Sequence, residues 1–268
     1  MKRGELSRKG LSVVRTEEPQ KERHDSGSSL IELGTWETSD FVQSIGMCFR
    51  CREERTMGLL IGPPGSGKTT VINSFAQRFN DTVLITATVT MAVKDLLEVI
   101  AGAIGVTVYG GNNQRFKQIA EALKRHPVTL IVDETENLIT RSSISKIEIL
   151  RQLHDMAGIG VIFCGTPRLE ELIIRGPNGR DNLAQLYSRI LYRYRLKGIS
   201  GKEVTNILTQ YTADKAAVDE LTAIATNTAR GGLRMFTNVL RRCLTISQNT
   251  GEPIIKDMVL QATGMMII

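Results

Sequence analysis

The segment Leu59–Asn73, LLIGPPGSGKTTVIN, constrains this chain more than any other. A short apolar run leads into a glycine-rich turn, and a lysine and two threonines then open a helical pattern. The turn fits G-x-x-x-x-G-K-[ST], with Gly62, Gly67, Lys68 and Thr69 in the fixed places. Glycines let successive backbone N–H groups curl around an anion, and the helix that follows aims its positive end at the same point. Phosphate suits that geometry. Gly62, Pro63, Pro64, Gly65, Ser66 and Gly67, with Lys68, Thr69 and Thr70 at the helix start, form the expected nucleotide cradle. In it Lys68 reaches the β and γ phosphates, and the Thr69 hydroxyl holds Mg2+.

Downstream, apolar runs alternate with helical patterns. MGLLIG, TVLITAT, VTLIVDE, GVIFCG and LYRYRL read as strands, with TTVINSFAQRF, MAVKDLLEVIAGAIG, FKQIAEALKR, ISKIEILRQLHDM and PRLEELII between them. Strands separated by helices imply a parallel α/β sheet of about five strands covered on both faces, and the wholly apolar VTLIV and GVIFC suit its centre. After Gly198 the pattern is helical only: GKEVTNILTQYT, KAAVDELTAIATNT, GGLRMFTNVLRRCLTISQ and KDMVLQAT. The expected organisation is a flexible arm over 1–30, rich in both charge signs, a nucleotide-binding α/β domain over 31–198, and a small helical lid domain over 199–268.

TLIVDE, Thr129–Glu134, ends an apolar strand in two carboxylates. Asp133 at the strand's edge is placed to hold the hydration shell of Mg2+, as in a Walker B element, and Glu134 to polarise an attacking water. The chain has no N-K-x-D segment to read guanine, so ATP is the expected nucleotide. VIFCG runs to Thr166, whose hydroxyl would lie beside the γ-phosphate and the water, the job called sensor 1, or would cap the helix starting at Pro167.

Between 182 and 202, NLAQLYSRILYRYRLKGISGK holds arginines and lysines and no acid. Such an uncompensated stretch needs an anion from elsewhere, and Arg189 offered to a neighbouring subunit's nucleotide would act as an arginine finger. Arg193 and Arg195 share one side of a short strand and fit a solvated basic face equally well. Arg234, at the start of a long helix after two glycines, looks like a sensor 2 arginine touching the phosphates from the lid; solvent exposure is its alternative.

In this order, Gly62–Thr69, Asp133 with Glu134, Thr166, Arg189 and Arg234 before a helical lid resemble an AAA+ ATPase, over about residues 35 to 265. LLIGPPGSGKTT, VKDLLEVIAGAIGV, TLIVDETENL, FCGTPRLEELI, QLYSRILYRYRL and GGLRMFTNVL are most similar to the DNA-transposition ATPases of the Mu B, TnsC and TniB group. That resemblance implies an ATP-loaded homo-oligomer, ring or helical filament, on double-stranded DNA without strong sequence preference. It further implies recruitment and activation of a transposase, a target-selection protein as a further partner, and departure on hydrolysis. Mu B carries an N-terminal helix-turn-helix domain, for which thirty residues of arm are too few. The resemblance matches the family's DNA contacts to Lys94, Asn112 and Arg115; by the residues alone, Lys94 and Arg115 are ordinary solvated helix residues. A helicase loader or an origin-recognition ATPase is an alternative, the second expected to add a winged helix after the lid for which this sequence has too few residues, and a small-molecule P-loop kinase is another.

The net charge of +6 permits a nucleic-acid partner, and 5% aromatics argue against base stacking on a row of rings, so phosphate contacts should dominate. No run of about eighteen apolar residues exists and MKRGELSRKG lacks a secretion core, so a cytoplasmic location with no membrane partner is expected. Cys48 and Cys51 have C-x-x-C spacing, yet Cys164 falls in a central strand and Cys243 in a lid helix, so the pair reads as free thiols before the first strand. His24, His126 and His154 are scattered, and the terminal MMII has no assigned role.

Overall fold

The computed structural model describes residues 33–141, 143–177 and 183–264, all within one compact unit spanning Ile31–Ile268. The arm over 1–30 with His24, Asn182 and the terminal MMII lie outside the described residues. Five parallel strands form one sheet: β1 (Met57–Ile61), β2 (Thr82–Thr86), β3 (Thr129–Asp133), β4 (Val161–Gly165) and β5 (Ile190–Arg195), in the order β2-β3-β4-β1-β5. As expected, β4 is central with β3 beside it, and every residue of β1, β3 and β4 is buried.

Side chains alternate across the sheet. Leu59, Ile61, Leu130, Val132, Val161 and Phe163 face one core, shared with α3 (Val93–Ala103), α4 (Asn112–Arg125), α5 (Ser145–Ala157) and α6 (Pro167–Arg175). Leu60, Ile131, Ile162 and Cys164 face the other, covered by α1 (Ser39–Glu53) and α2 (Lys68–Arg78). Helix α1 is an element the strand-and-helix pattern had not included. It starts where the Thr38 side chain accepts from Phe41 N at 3.2 Å, an N-cap followed by Asp40 in the first turn.

Cys48 and Cys51 therefore sit on α1, ahead of the first strand as expected, and both are free and fully buried. Burial pushes both thiols above their ordinary range, which disfavours the reactive thiolate form. Cys51 Sγ packs 3.7 Å from Met47 Sδ. A Cβ at Gly58 would come 2.5 Å from Cys51 Sγ, so β1 needs a glycine there for α1 to lie flat on it.

After the short α7 (Ala184–Tyr187) and β5, the chain forms α8 (Gly201–Leu208), α9 (Lys215–Thr226), α10 (Gly232–Thr250) and α11 (Lys256–Gly264). Helix α8 opens on a reciprocal cap between Ser200 and Glu203. The Asp214 carboxylate opens α9 by accepting from Ala217 N at 2.6 Å. These helices share an apolar cluster around Phe236, Leu221, Val239 and Val259, against which Leu33 and Trp36 also pack. The Trp36 and Phe236 ring centroids are 5.5 Å apart.

Asp40, only 7% exposed, joins α1 to the β5–α8 connection. Its Oδ1 accepts from Tyr194 Oη and its Oδ2 from the N–H groups of Lys197 and Gly198, all at 2.8 Å. Ser39 N donates to Glu203 Oε1 at 2.6 Å. Among the described residues no helix is long and apolar enough to cross a membrane.

Candidate nucleotide-binding site

From β1 the chain crosses to β2 at the sheet's edge, passing over the positions of β4 and β3. A crevice opens outside the strand ends at such a switch in strand order. Here it is a cleft of about 620 Å³, lined by Pro64, Gly65, Ser66, Gly67, Lys68, Thr69 and Thr70, by Asp133, Glu134 and Thr166, and by Arg234 from the lid side. Those sequence-derived residues, scattered over 170 positions, are brought to one place; its volume is in the range that takes a nucleotide.

The loop's backbone explains its residues. Gly65 and Gly67 have φ of +79° and +94°, a region costly for residues with a Cβ. Gly62 N donates to Gly165 O at 3.1 Å, tying the loop's start to the end of β4. The Lys68 ammonium donates to the carbonyl oxygens of Gly62 and Pro63 at 2.7 and 3.0 Å. Burial lowers its pKa, as it must when a cation is held among dipoles instead of water. Incoming phosphates would raise it again.

Thr69 and Asp133 meet directly, Oγ1 donating to Oδ2 at 2.9 Å. This is the donor set the resemblance implies for Mg2+: two oxygen ligands converge at the mouth of the cradle, and hard cations such as Mg2+ take oxygen ligands and keep several waters. Asp133 Oδ1 accepts Glu134 N at 2.9 Å, and Glu134 takes the left-handed conformation at φ 51°, ψ 38°. A non-glycine residue held there costs about 1–3 kcal/mol and is typical of functional sites. The Glu134 carboxylate accepts from Asn137 Nδ2 at 3.1 Å, and the same amide donates to Ala87 O at 3.0 Å.

Thr166 lies at the N-cap position of α6, but its hydroxyl does not cap that helix. Instead its Oγ1 donates to Glu136 Oε1 at 2.7 Å, and its N–H reaches the same oxygen at 3.1 Å. Arg234 joins the cradle through its backbone: its N–H donates to Gly65 O at 3.1 Å, and a Cβ on Gly65 would meet Gly231 O at 2.5 Å.

Arg189 does not line the cleft. The stretch around it is not uncompensated either: its anions come from other helices. Arg189 Nε donates to Asp155 Oδ1 on α5 at 2.6 Å. Arg193 Nη1 donates to Glu170 Oε1 on α6 at 2.7 Å, and Arg195 pairs with the other oxygen of the same carboxylate. Glu170 is 5% exposed, so a buried carboxylate is held by two arginines of the edge strand, as a buried charge requires.

Lys94, Asn112 and Arg115 lie away from the cleft, at the starts of α3 and α4. Glu98 draws two of them together, with Lys94 Nζ at 3.8 Å and the Arg115 guanidinium against Oε1. Arg115 also donates to Gly110 O at 2.7 Å, so its guanidinium is a tie between α3 and α4. Lys94 and Asn112 are exposed.

Sequence reasoning missed Glu136, Asn137, Asp40 and Trp36, all of which line the cleft. The repeated carboxylates of D-E-T-E-N were the available signal for the first two.

Residues 51–173 match a family described as AAA domain. No curated protein sequence matches the chain. In fold it is similar to ORC1 of Aeropyrum pernix, solved in complex with DNA, with a TM-score of 0.60 and 15% identity over 84% of this chain and 64% of that one. It is also similar to domain III of the replication initiation protein DnaA of Thermotoga maritima, with a TM-score of 0.55 and 13% identity over 84% of this chain and 92% of that one. Drosophila ORC, solved bound to DNA, gives a TM-score of 0.54 and 17% identity over 90% and 70%. The chain spans less than two thirds of the Aeropyrum protein's length. At such identities the likeness is one of architecture, and with its five parallel strands, phosphate loop and following helices the chain has the fold of an AAA+ P-loop NTPase.

Proposed function

We propose that the chain is an ATP-hydrolysing switch of DNA transposition that assembles on duplex DNA as a ring or filament, recruits and activates a transposase there, and disassembles on hydrolysis. Lys68 and the loop amides bind the phosphates, Thr69 and Asp133 hold Mg2+, Glu134 takes a proton from the attacking water, and Arg189 of an adjacent copy completes the site. The transposition role rests on the resemblance to the Mu B, TnsC and TniB group.

The observation that carries the DNA-coupled reading is the Asn137 amide, bonded at once to Glu134 and to Ala87 O. Ala87 directly follows β2 and heads the segment leading to Lys94 on α3. Phosphates gripped at Lys94 and Asn112 would thus bear on the carboxylate that acts on water.

The test combines turnover with imaging. Duplex DNA should stimulate ATP hydrolysis, and a non-hydrolysable analogue should give ordered particles on DNA in the electron microscope. Glu134→Gln should bind ATP and stay assembled, and Asn137→Ala should lose DNA stimulation while keeping nucleotide affinity. Full turnover by isolated subunits indifferent to DNA would sink the reading. The likeness to ORC and DnaA supports a second one, a helicase loader or initiator, which predicts copurification with a hexameric helicase.

A further inference from the structure

Glu136 belongs to no role so far assigned, yet it lines the cleft and is held there on both sides. It lies on the 3-10 turn Thr135–Leu138 that follows β3, fixed by the buried Thr135 hydroxyl donating to Val132 O at 2.6 Å. Its Oε1 takes two hydrogen bonds from one residue, the N–H and the hydroxyl of Thr166, across 30 positions of sequence. Its Oε2 is buried with no hydrogen-bond partner and packs where a Cβ on residue 165 would fall, so Gly165 leaves room for this carboxylate.

A threonine hydroxyl has a single hydrogen and two lone pairs. Oε1 already accepts the Thr166 N–H, so it is an acceptor, and the Thr166 hydrogen is spent on it in a short bond to a carboxylate. Only lone pairs then remain to face the cleft. A group with lone pairs alone cannot donate to a phosphate oxygen, but it can accept from a water.

We propose that Glu136 is a positioning residue that sets the polarity of Thr166, so that Thr166 acts on the attacking water as an acceptor and makes no donor contact to the terminal phosphate. The inference rests on the nucleotide-hydrolase reading of this cleft.

Trp36 is the chain's single tryptophan and lines the cleft, so its fluorescence reports binding of ATP and ADP separately from turnover. Thr166→Val should lower kcat and leave the ratio of ATP to ADP affinity at the wild-type value. Glu136→Ala frees the hydroxyl hydrogen for the terminal phosphate, and should raise that ratio roughly tenfold, the scale of a hydrogen bond to a charged group, while lowering kcat. Adding Thr166→Val to Glu136→Ala should abolish the gain. Glu136→Gln removes the same charge but keeps an acceptor, and should retain the wild-type ratio; thermal melts confirm that each variant is folded. The proposal is overturned if Thr166→Val alone shifts the ratio, or if the alanine and glutamine variants behave alike. Absence of Glu134-dependent hydrolysis in the wild-type protein would instead remove the hydrolase reading and this inference with it.

Discussion

Thr69 and Asp133, 64 residues apart in sequence, are joined by a 2.9 Å hydrogen bond from the threonine hydroxyl to Asp133 Oδ2. Asp133→Asn keeps an oxygen for Thr69 but removes the charge that favours a divalent cation. Adding Mg2+ should tighten ATP binding to the wild-type protein and leave the variant within about twofold of its value in EDTA. Trp36 fluorescence titrations in the two buffers check this, and an undiminished Mg2+ effect in the variant would separate Asp133 from the metal.

Lys68 predicts a dependence on alkaline pH. Burial holds its pKa below the ordinary 10.5, so the folded, empty protein releases this proton before an unfolded chain does. Between the two values the unfolded chain holds more protons, and the penalty for the buried ammonium fades as pH rises through that window. Phosphate binding needs the ammonium. ATP affinity should therefore fall as pH climbs toward 10.5, whereas Lys68→Met should bind weakly and show no such slope.

The Arg189–Asp155 pair must open before Arg189 can serve a neighbouring copy. Arg189→Ala should lower turnover of the assembled protein by about a hundredfold or more. Mixing it with Glu134→Gln subunits should restore part of the activity, because each Arg189→Ala copy keeps its own cleft and gains a neighbour's arginine. Asp155→Asn should raise turnover by freeing that arginine. Unchanged rates in both variants would return Arg189 to a purely local ion pair.

Gly65→Ala tests the contact between loop and lid. The position combines φ +79° with a clash at Gly231 O. The backbone alone should cost about 1–2 kcal/mol, seen as a lower melting temperature, and nucleotide affinity should fall with it. A variant as stable as wild type would mean that the lid is not seated on the loop.

What the sequence discloses depends on how far apart the cooperating residues are. The phosphate loop, the Asp133–Glu134 ending of β3 and the C-terminal helices are local patterns, and periodicity or a fixed spacing suffices to find them. Helix α1 escaped because polar Ser44 interrupts its buried side while Val42 and Phe49 stand exposed on the other, and that side becomes intelligible only as Phe41, Met47, Cys48 and Cys51 on β1 and β4. Glu136 and Asn137 escaped for another reason: their partners, Thr166 and Ala87, lie 30 and 50 positions away, and only the sheet order brings these together. The basic run around β5 misled by the same route, since Asp155 and Glu170 reach it from α5 and α6.

Asp40 has a consequence for motion. With one oxygen on Tyr194 and the other on the amides of Lys197 and Gly198, it ties the connection between β5 and α8 to the first turn of α1. Gly198, at φ +92°, is the joint next to that tie. Ser39 N on Glu203 and Arg234 N on Gly65 O are further ties between the same parts of the chain, so a shift of the C-terminal helices away from the phosphate loop would load the first turn of α1 as well.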